Sequence, residues 1–263
     1  MTTACGPETG AINRAASLDT AMHVARAAAA MLAAQGATAR AVRCEVTRDL
    51  KLEADYALHQ FICEALGKRS GFPVISEESP TDHWKQVNHG YVWIVDPLDG
   101  SLNFARGIPF ASISIALWRG MTPLVGVVYD VHRQELFSGV VGTGAWLNGA
   151  AIHVSGVQRT HDAVLCTGFP VRMDYATSAI QEFITRVQTY KKVRLLGSAA
   201  LSLAYVACGR ADVYQEDRIA LWDVAAGLAL VQAAGGIIHV HRTQDPQLVL
   251  VQAGNRHVLA QED

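Results

Sequence analysis

The chain has 263 residues, 50% hydrophobic and 17% charged, and its 22 basic residues against 24 acidic ones leave a formal charge of −2. That balance excludes disorder as the main state, because a disordered chain is poor in apolar residues, and it offers no basic surface for nucleic acid or anionic lipid. One large or two modest domains and a small-molecule partner are expected.

No bilayer span is expected. The uncharged stretch 27–39 contains Gln35 and Gly36 and falls short of the ~20 apolar residues a spanning helix needs. Met1 to Gly10 has neither a basic start nor an apolar run, so the reading is of a cytoplasmic protein without a signal peptide. The cysteines, Cys5, Cys44, Cys63, Cys166 and Cys208, are odd in number and widely spaced, which suits reduced thiols.

Leu18, Met22, Ala25, Ala29 and Leu32 recur at helical spacing, which predicts a helix over 18–35 with Ser17 as N-cap and Gly36 as its stop. From Ala54 the positions Ala57, Leu58, Phe61, Ile62, Ala65 and Leu66 keep that period and predict a second helix ending at Gly67. The period then changes. Residues 72–76 and 91–95 are short apolar runs, and 112–118 alternates Ser-Ile-Ser-Ile as a half-buried strand does. Runs at 124–129, 135–140 and 146–152 extend the series into an antiparallel meander. Asn148-Gly149 is a type I′ turn signal, followed by a run that fits a strand or a loop. Beyond residue 155, strands at 164–167, 192–195, 213–216, 237–240 and 248–251 alternate with helices at 179–190, 198–208 and 222–234. The expected organisation is an α+β half over 1–155 and an α/β half over 156–263, with helices layered against two sheets.

Three acidic sites lie at strand ends or helix starts. In Val74-Ile75-Ser76-Glu77-Glu78 an apolar strand runs into two carboxylates. In Trp93-Ile94-Val95-Asp96-Pro97-Leu98-Asp99-Gly100-Ser101 another ends in two aspartates three residues apart. Pro97 has no amide hydrogen and fixes φ, which turns the chain and leaves the Leu98 carbonyl free to face the same point. Gly100 permits positive φ and close ligand approach, and Ser101 supplies a hydroxyl and a cap for a short helix at 102–104 whose amides would face an anion. Two carboxylates, a carbonyl and a hydroxyl are the hard oxygen donors that Mg²⁺ or Mn²⁺ prefers, and crowded carboxylates need such a cation to stay ionised. The third site is Asp223, at the start of a helix whose small residues Ala225, Ala226 and Gly227 allow close packing. Asp55, beside the apolar stripe of the second helix, is a fourth candidate. Each site alone also fits a solvated turn or a dipole-favoured helix acid. His239 and His241 alternate on a predicted strand and are read as structural.

Together these motifs resemble the inositol monophosphatase family of magnesium-dependent, lithium-sensitive phosphatases, over roughly residues 49–236. The resemblance also takes in Gly144-Ala145-Trp146-Leu147-Asn148-Gly149 and Arg194-Leu195-Leu196-Gly197-Ser198-Ala199-Ala200. It implies a layered α-β-α-β-α sandwich of the inositol monophosphatase and fructose-1,6-bisphosphatase type, a homodimer, and hydrolysis of a small phosphorylated polyol by direct attack of water. Carried onto this chain, Glu77, Asp96 and the Leu98 carbonyl would hold one Mg²⁺, and Asp96, Asp99 and Asp223 a second. Glu77 and Asp55 would position a third through waters, Mn²⁺ substituting, with Glu78 behind them. Ser101 would orient the attacking water, with Asp55 and Glu77 assisting its deprotonation. Asp99, Gly100, Ser101, Gly197, Ser198, Ala199, Glu216 and Asp223 would bind substrate, Glu216 taking the sugar-alcohol hydroxyls.

The chain departs from the family pattern at three points. Ser101 stands where Thr is usual, and Leu52 where many members have Thr. A common Lys is replaced near Cys44, for which Arg43 or Arg48 is the expected electrostatic substitute. Inositol monophosphate is the first-choice substrate, ahead of histidinol phosphate, 3′,5′-bisphosphonucleosides and fructose 1,6-bisphosphate. A phosphatase-like module that senses a phosphorylated ligand without turnover is the non-enzyme alternative.

Overall fold

The computed structural model describes residues 12–46, 49–80, 90–169 and 176–260. The apolar runs of the middle of the chain form a seven-stranded sheet in spatial order β3-β4-β5-β6-β7-β8-β9. Its strands are β3 (Val74–Ser76), β4 (Tyr91–Asp99), β5 (Ser112–Arg119), β6 (Thr122–Asp130), β7 (Glu135–Val140), β8 (Gly144–Leu147) and β9 (Ala150–Ile152). β3 pairs parallel with β4, and every later neighbour pair is antiparallel, which is the expected meander. The last predicted strand splits into β8 and β9 at Asn148 (φ 49°) and Gly149 (φ 86°), the positive values a type I′ turn requires.

The second sheet has order β11-β10-β12-β14-β13, from β10 (Val164–Cys166), β11 (Lys192–Arg194), β12 (Val213–Ala220), β13 (Ile237–Arg242) and β14 (Leu248–Gly254). Helices α1 (Arg14–Gln35) and α2 (Glu53–Ser70) cover the outer face of the first sheet. Between the sheets lie α5 (Ala199–Ala207) and α6 (Leu221–Ala233), which touch strands of both. Beyond the second sheet, α4 (Thr177–Gln188) and α7 (Arg256–Leu259) contribute Val187, Val258 and Leu259 to a smaller core with Leu165 and Val213. The order of layers is therefore α-β-α-β-α, as the resemblance implied. No described helix is long and apolar enough to cross a membrane.

Because the first sheet carries helices on both faces, its strands β4 to β7 are buried on both sides, while β8 and β9 at the edge are not. Along β4, Val92 and Ile94 enter the core shared with α5 and α6, while Trp93 and Val95 enter the core under α1 and α2. This corrects the half-buried reading of 112–118: Ser112 and Ser114 are fully buried like the isoleucines between them. Other boundaries move for local reasons. α1 starts four residues early, with the Asn13 side chain rather than Ser17 accepting an amide of its first turn. α2 runs through Gly67 and stops at Gly71, which takes φ 69°. A short hairpin of β1 (Val42–Val46) and β2 (Asp49–Leu52) precedes α2 and had no counterpart in the sequence reading.

The central helix approaches the sheet so closely that side chains are excluded. A Cβ on Gly126 of β6 would lie 2.3 Å from the Ala226 carbonyl oxygen of α6, and one on Gly227 would lie 2.3 Å from Cβ of Leu203 in α5. Gly126→Ala should therefore destabilise the protein by about 1–3 kcal/mol through overpacking, read as a lower denaturant midpoint at unchanged m-value. Gly156→Ala, with nothing within 4 Å of its added Cβ, should stay within about 0.5 kcal/mol of the parent.

Candidate metal centre and substrate cavity

Residues three apart on a regular strand face opposite sides of a sheet. In the β4–β5 ladder, however, Asp96 pairs with Ser114 and Asp99 with Ser112, so β4 fits one extra residue into that interval. The bulge falls at Pro97-Leu98, where proline has no amide to contribute to the ladder, and it returns Asp99 to the face that carries Asp96. The Asp96 carboxylate accepts the Leu98 amide at 3.0 Å across the bulge. Gly100, at φ 84°, turns the chain into α3 (Ser101–Arg106); any Cβ there would meet the Phe110 carbonyl oxygen at 2.6 Å. Ser101 is thus the first residue of α3 and not its cap. Its hydroxyl lies 2.8 Å from the Leu98 carbonyl oxygen and 2.9 Å from Oδ1 of Asp55.

Asp223, in the first turn of α6, completes a trio with Asp96 and Asp99 whose carboxylate oxygens lie within 4.8 Å of one another. Burial raises the Asp96 pKa well above the carboxylate range, and the charges of Glu77, Asp99 and Asp223 raise it further. Asp223, itself half-buried, is raised by desolvation and by Asp99 and Glu77. Asp99 is raised by burial to about 6, less than its neighbours, because the Ser198 hydroxyl and the Ala200 amide (2.9 Å) donate to it.

Asp55 is no solvated helix acid. It is fully buried, and burial lifts it to about 7 against the opposing hydrogen bonds from the Leu52 amide (2.5 Å) and Ser101. Leu52 supplies no side-chain cap to α2 and lies wholly in the core. Glu77 is outside the aspartate trio; its Oε1 is hydrogen-bonded by Lys51 of β2, whose Nζ also lies 2.8 Å from Oε1 of Glu78. Lys51 is a cation of the site that the sequence reading missed; Arg40 and Arg106, in the wall of its larger cavity, are two more. The expected substitute Arg43 instead stacks on Tyr56 and pairs with Glu53 at 3.6 Å, and Arg48 lies outside the described residues. The available signal was Leu50-Lys51-Leu52, an alternating triplet just before a helix.

Two cavities share Asp99 and Asp223 in their walls. One, of about 600 Å³, is also lined by Glu77, Asp96, Leu98 and Ser101. The other, of about 260 Å³, adds Gly197, Ser198, Ala199 and Glu216. The Gly197 loop is held to α3 by Asn103, which donates to the Leu196 carbonyl at 2.8 Å. Burial raises Glu216 to about 7, although its bond from the Tyr214 hydroxyl (2.7 Å) opposes the shift. All the residues proposed from sequence, apart from Glu78, thus line these two cavities or, in the case of Asp55, bond to a residue that does.

Residues 14–261 match the sequence profile of the inositol monophosphatase family. The chain belongs to that family. It is 39% identical over 193 residues to an inositol monophosphatase of Mesembryanthemum crystallinum, covering 71% of this chain and 66% of that one. It is also 39% identical over 198 residues to the Nus factor SuhB of Pseudomonas aeruginosa, covering 73% and 72%. Among solved structures it is similar to the suhB protein of Bartonella henselae, with TM-score 0.80, 32% identity and coverage of 92% and 95%. The inositol monophosphatase of Anabaena gives TM-score 0.78 at 33% identity, with coverage of 95% and 94%. Alignment to the plant protein thus spans just under two thirds of its length.

The family is metal-dependent, and the donor chemistry here fits a hard divalent cation: three carboxylates converge with their charges in mutual conflict, and none of the trio is a His or Cys. Glu216 gives this acidity a measurable consequence. Its folded pKa is raised, so its contribution to stability is full below the ordinary carboxylate pKa near 4.5 and is lost as pH rises through about 7. The metal-free protein should lose roughly 3 kcal/mol from this group between those limits. Thermal midpoints from pH 5 to 8 should fall less steeply in Glu216→Gln; parallel curves would contradict the assignment.

Proposed function

We propose that this chain is a Mg²⁺-dependent phosphomonoester hydrolase that releases phosphate from inositol monophosphate. The observation that carries the reading is the convergence of Asp96, Asp99 and Asp223 at the wall between two cavities. The larger cavity suits the ions and the phosphate, and the smaller one a polyol ring. Asp96, Asp99 and Asp223 would hold two Mg²⁺, or Mn²⁺, with Glu77 and the Leu98 carbonyl completing the donors; the third ion that the family likeness implies would fall near Asp55 and Glu77. Bound there, such ions offset phosphate charge and lower the pKa of water toward neutrality.

The chain's own groups then handle substrate and proton. Gly100 and Ser101 line the larger cavity, where they would contact phosphate oxygens. Ser101 would orient the attacking water and pass its proton to Asp55, whose pKa near 7 lets it accept and return a proton near neutral pH. On the other side, Glu216 would accept the ring hydroxyls, with Gly197, Ser198 and Ala199 shaping the wall. On this reading the protein would be a cytoplasmic homodimer inhibited by Li⁺.

A phosphate-release panel on purified protein with Mg²⁺ should rank inositol monophosphates above histidinol phosphate, 3′,5′-bisphosphonucleosides and fructose 1,6-bisphosphate. Inositol phosphates at the bottom would overturn the substrate reading. Asp96→Asn should lower kcat by orders of magnitude at an unchanged circular dichroism spectrum, and Ser101→Ala by about 10²–10⁴. Some relatives carry the name Nus factor SuhB and not that of a phosphatase; the second reading is a module that binds a phosphorylated ligand without turnover. Saturable binding with no phosphate release, in the presence of Mg²⁺, would favour it.

A further inference from the structure

Lys51 has no place in the roles described so far, yet it is the cation built most deeply into the acidic cluster. Its side chain is only 15% exposed, and its ammonium is shared between Glu77 and Glu78. Burial disfavours that charge, but the two glutamates outweigh it and hold the Lys51 pKa above its ordinary value. The same charge draws down the raised pKa values of Asp55, Asp96 and Asp223. Its position is fixed from both sides. The next residue, Leu52, is fully buried in the core, and the β1–β2 hairpin sets Lys51 opposite Cys44.

The carboxylates therefore fall into two groups. The aspartates at 96, 99 and 223 crowd together, burial raising each of them and nearby carboxylate charge, that of Glu77 included, adding to it, which is the situation a divalent ion relieves. Glu77 and Glu78 already carry a cation supplied by the chain. A divalent ion placed on Oε1 of Glu77 would lie next to an ammonium of like charge. To enter there it would have to expel Lys51 from two ion pairs.

We infer that Lys51 is a positioning residue that serves as resident counter-cation of Glu77 and Glu78, taking the place of a peripheral third divalent ion and leaving metal binding to the two ions at the aspartates, to which Glu77 would offer its other carboxylate oxygen, Lys51 being bonded to Oε1. The inference rests on the metal-dependent reading above, but its test needs no turnover. Metal-free full-length protein would be dialysed to equilibrium against saturating Mn²⁺ and the bound metal counted by elemental analysis. Lys51→Met should bind one more Mn²⁺ per chain than the parent, and Lys51→Arg, which keeps the charge, should bind the parental number. Equal counts in all three overturn the role of Lys51 and leave the phosphatase reading standing. A parent that binds no Mn²⁺ removes the metal centre, and both readings with it.

A second measurement does not depend on the Met variant folding. In parent protein labelled with ¹⁵N-lysine, the Lys51 ammonium resonance, identified by its absence from Lys51→Arg, should persist unchanged in position through titration with Mg²⁺ to saturation. Its collapse into the exposed-lysine signals would show Lys51 expelled by metal, and would overturn the proposal.

Discussion

Like charges brought together out of water are the constraint to which the rest of this protein answers. Asp96, Asp99 and Asp223 hold carboxylate oxygens within 4.8 Å of one another, and the charge of Glu77 bears on them and on Asp55 alike. Such a cluster opposes folding, since burial and repulsion both penalise the ionised forms. The surrounding structure relieves it piecemeal. Ser198 and the Ala200 amide hold Asp99, the Leu52 amide and Ser101 hold Asp55, and Lys51 holds Glu77 and Glu78. Asp96 receives one amide across its bulge.

Holding that arrangement requires rigid support on both sides, which explains the five layers. Asp96 and Asp99 are carried by a strand buried on both faces, and Asp223 by a helix wedged between two sheets. Gly126 and Gly227 let α6 approach β6 and α5 to distances that no side chain would permit. The helix interior is correspondingly rich in alanine: Ala225, Ala226 and Ala229 are all fully buried. Bringing Asp223 up to the strand end is thus a matter of backbone distance before it is a matter of charge. The same closeness places Asp99 and Asp223 in the wall between two cavities, so that one pair of carboxylates faces both.

Much of this was legible because it is periodic. The second helix, the meander and the alternating second half are written in apolar spacing, and Asn148-Gly149 announces its turn. The metal motifs were readable through Pro97 and Gly100, residues with few alternative uses. What escaped was not periodic. The β1–β2 hairpin is short and polar, the burial of Ser112 and Ser114 follows from the helices packed above them, and the buried state of Asp55 follows from contacts with Leu52 and Ser101. Lys51 was invisible for a related reason: it lies 26 residues from Glu77, and nothing between them records that distance closing.

By itself, then, the amino-acid order determined which segments bury an apolar face, where the chain must turn, and which residues have oxygen to offer a cation. Those properties depend on neighbours within a few residues. The tertiary structure alone decided which carboxylates meet and which cation answers each of them. Coulomb forces act through space and desolvation depends on everything packed around a group, so both become defined only when distant strands and helices have closed on one another.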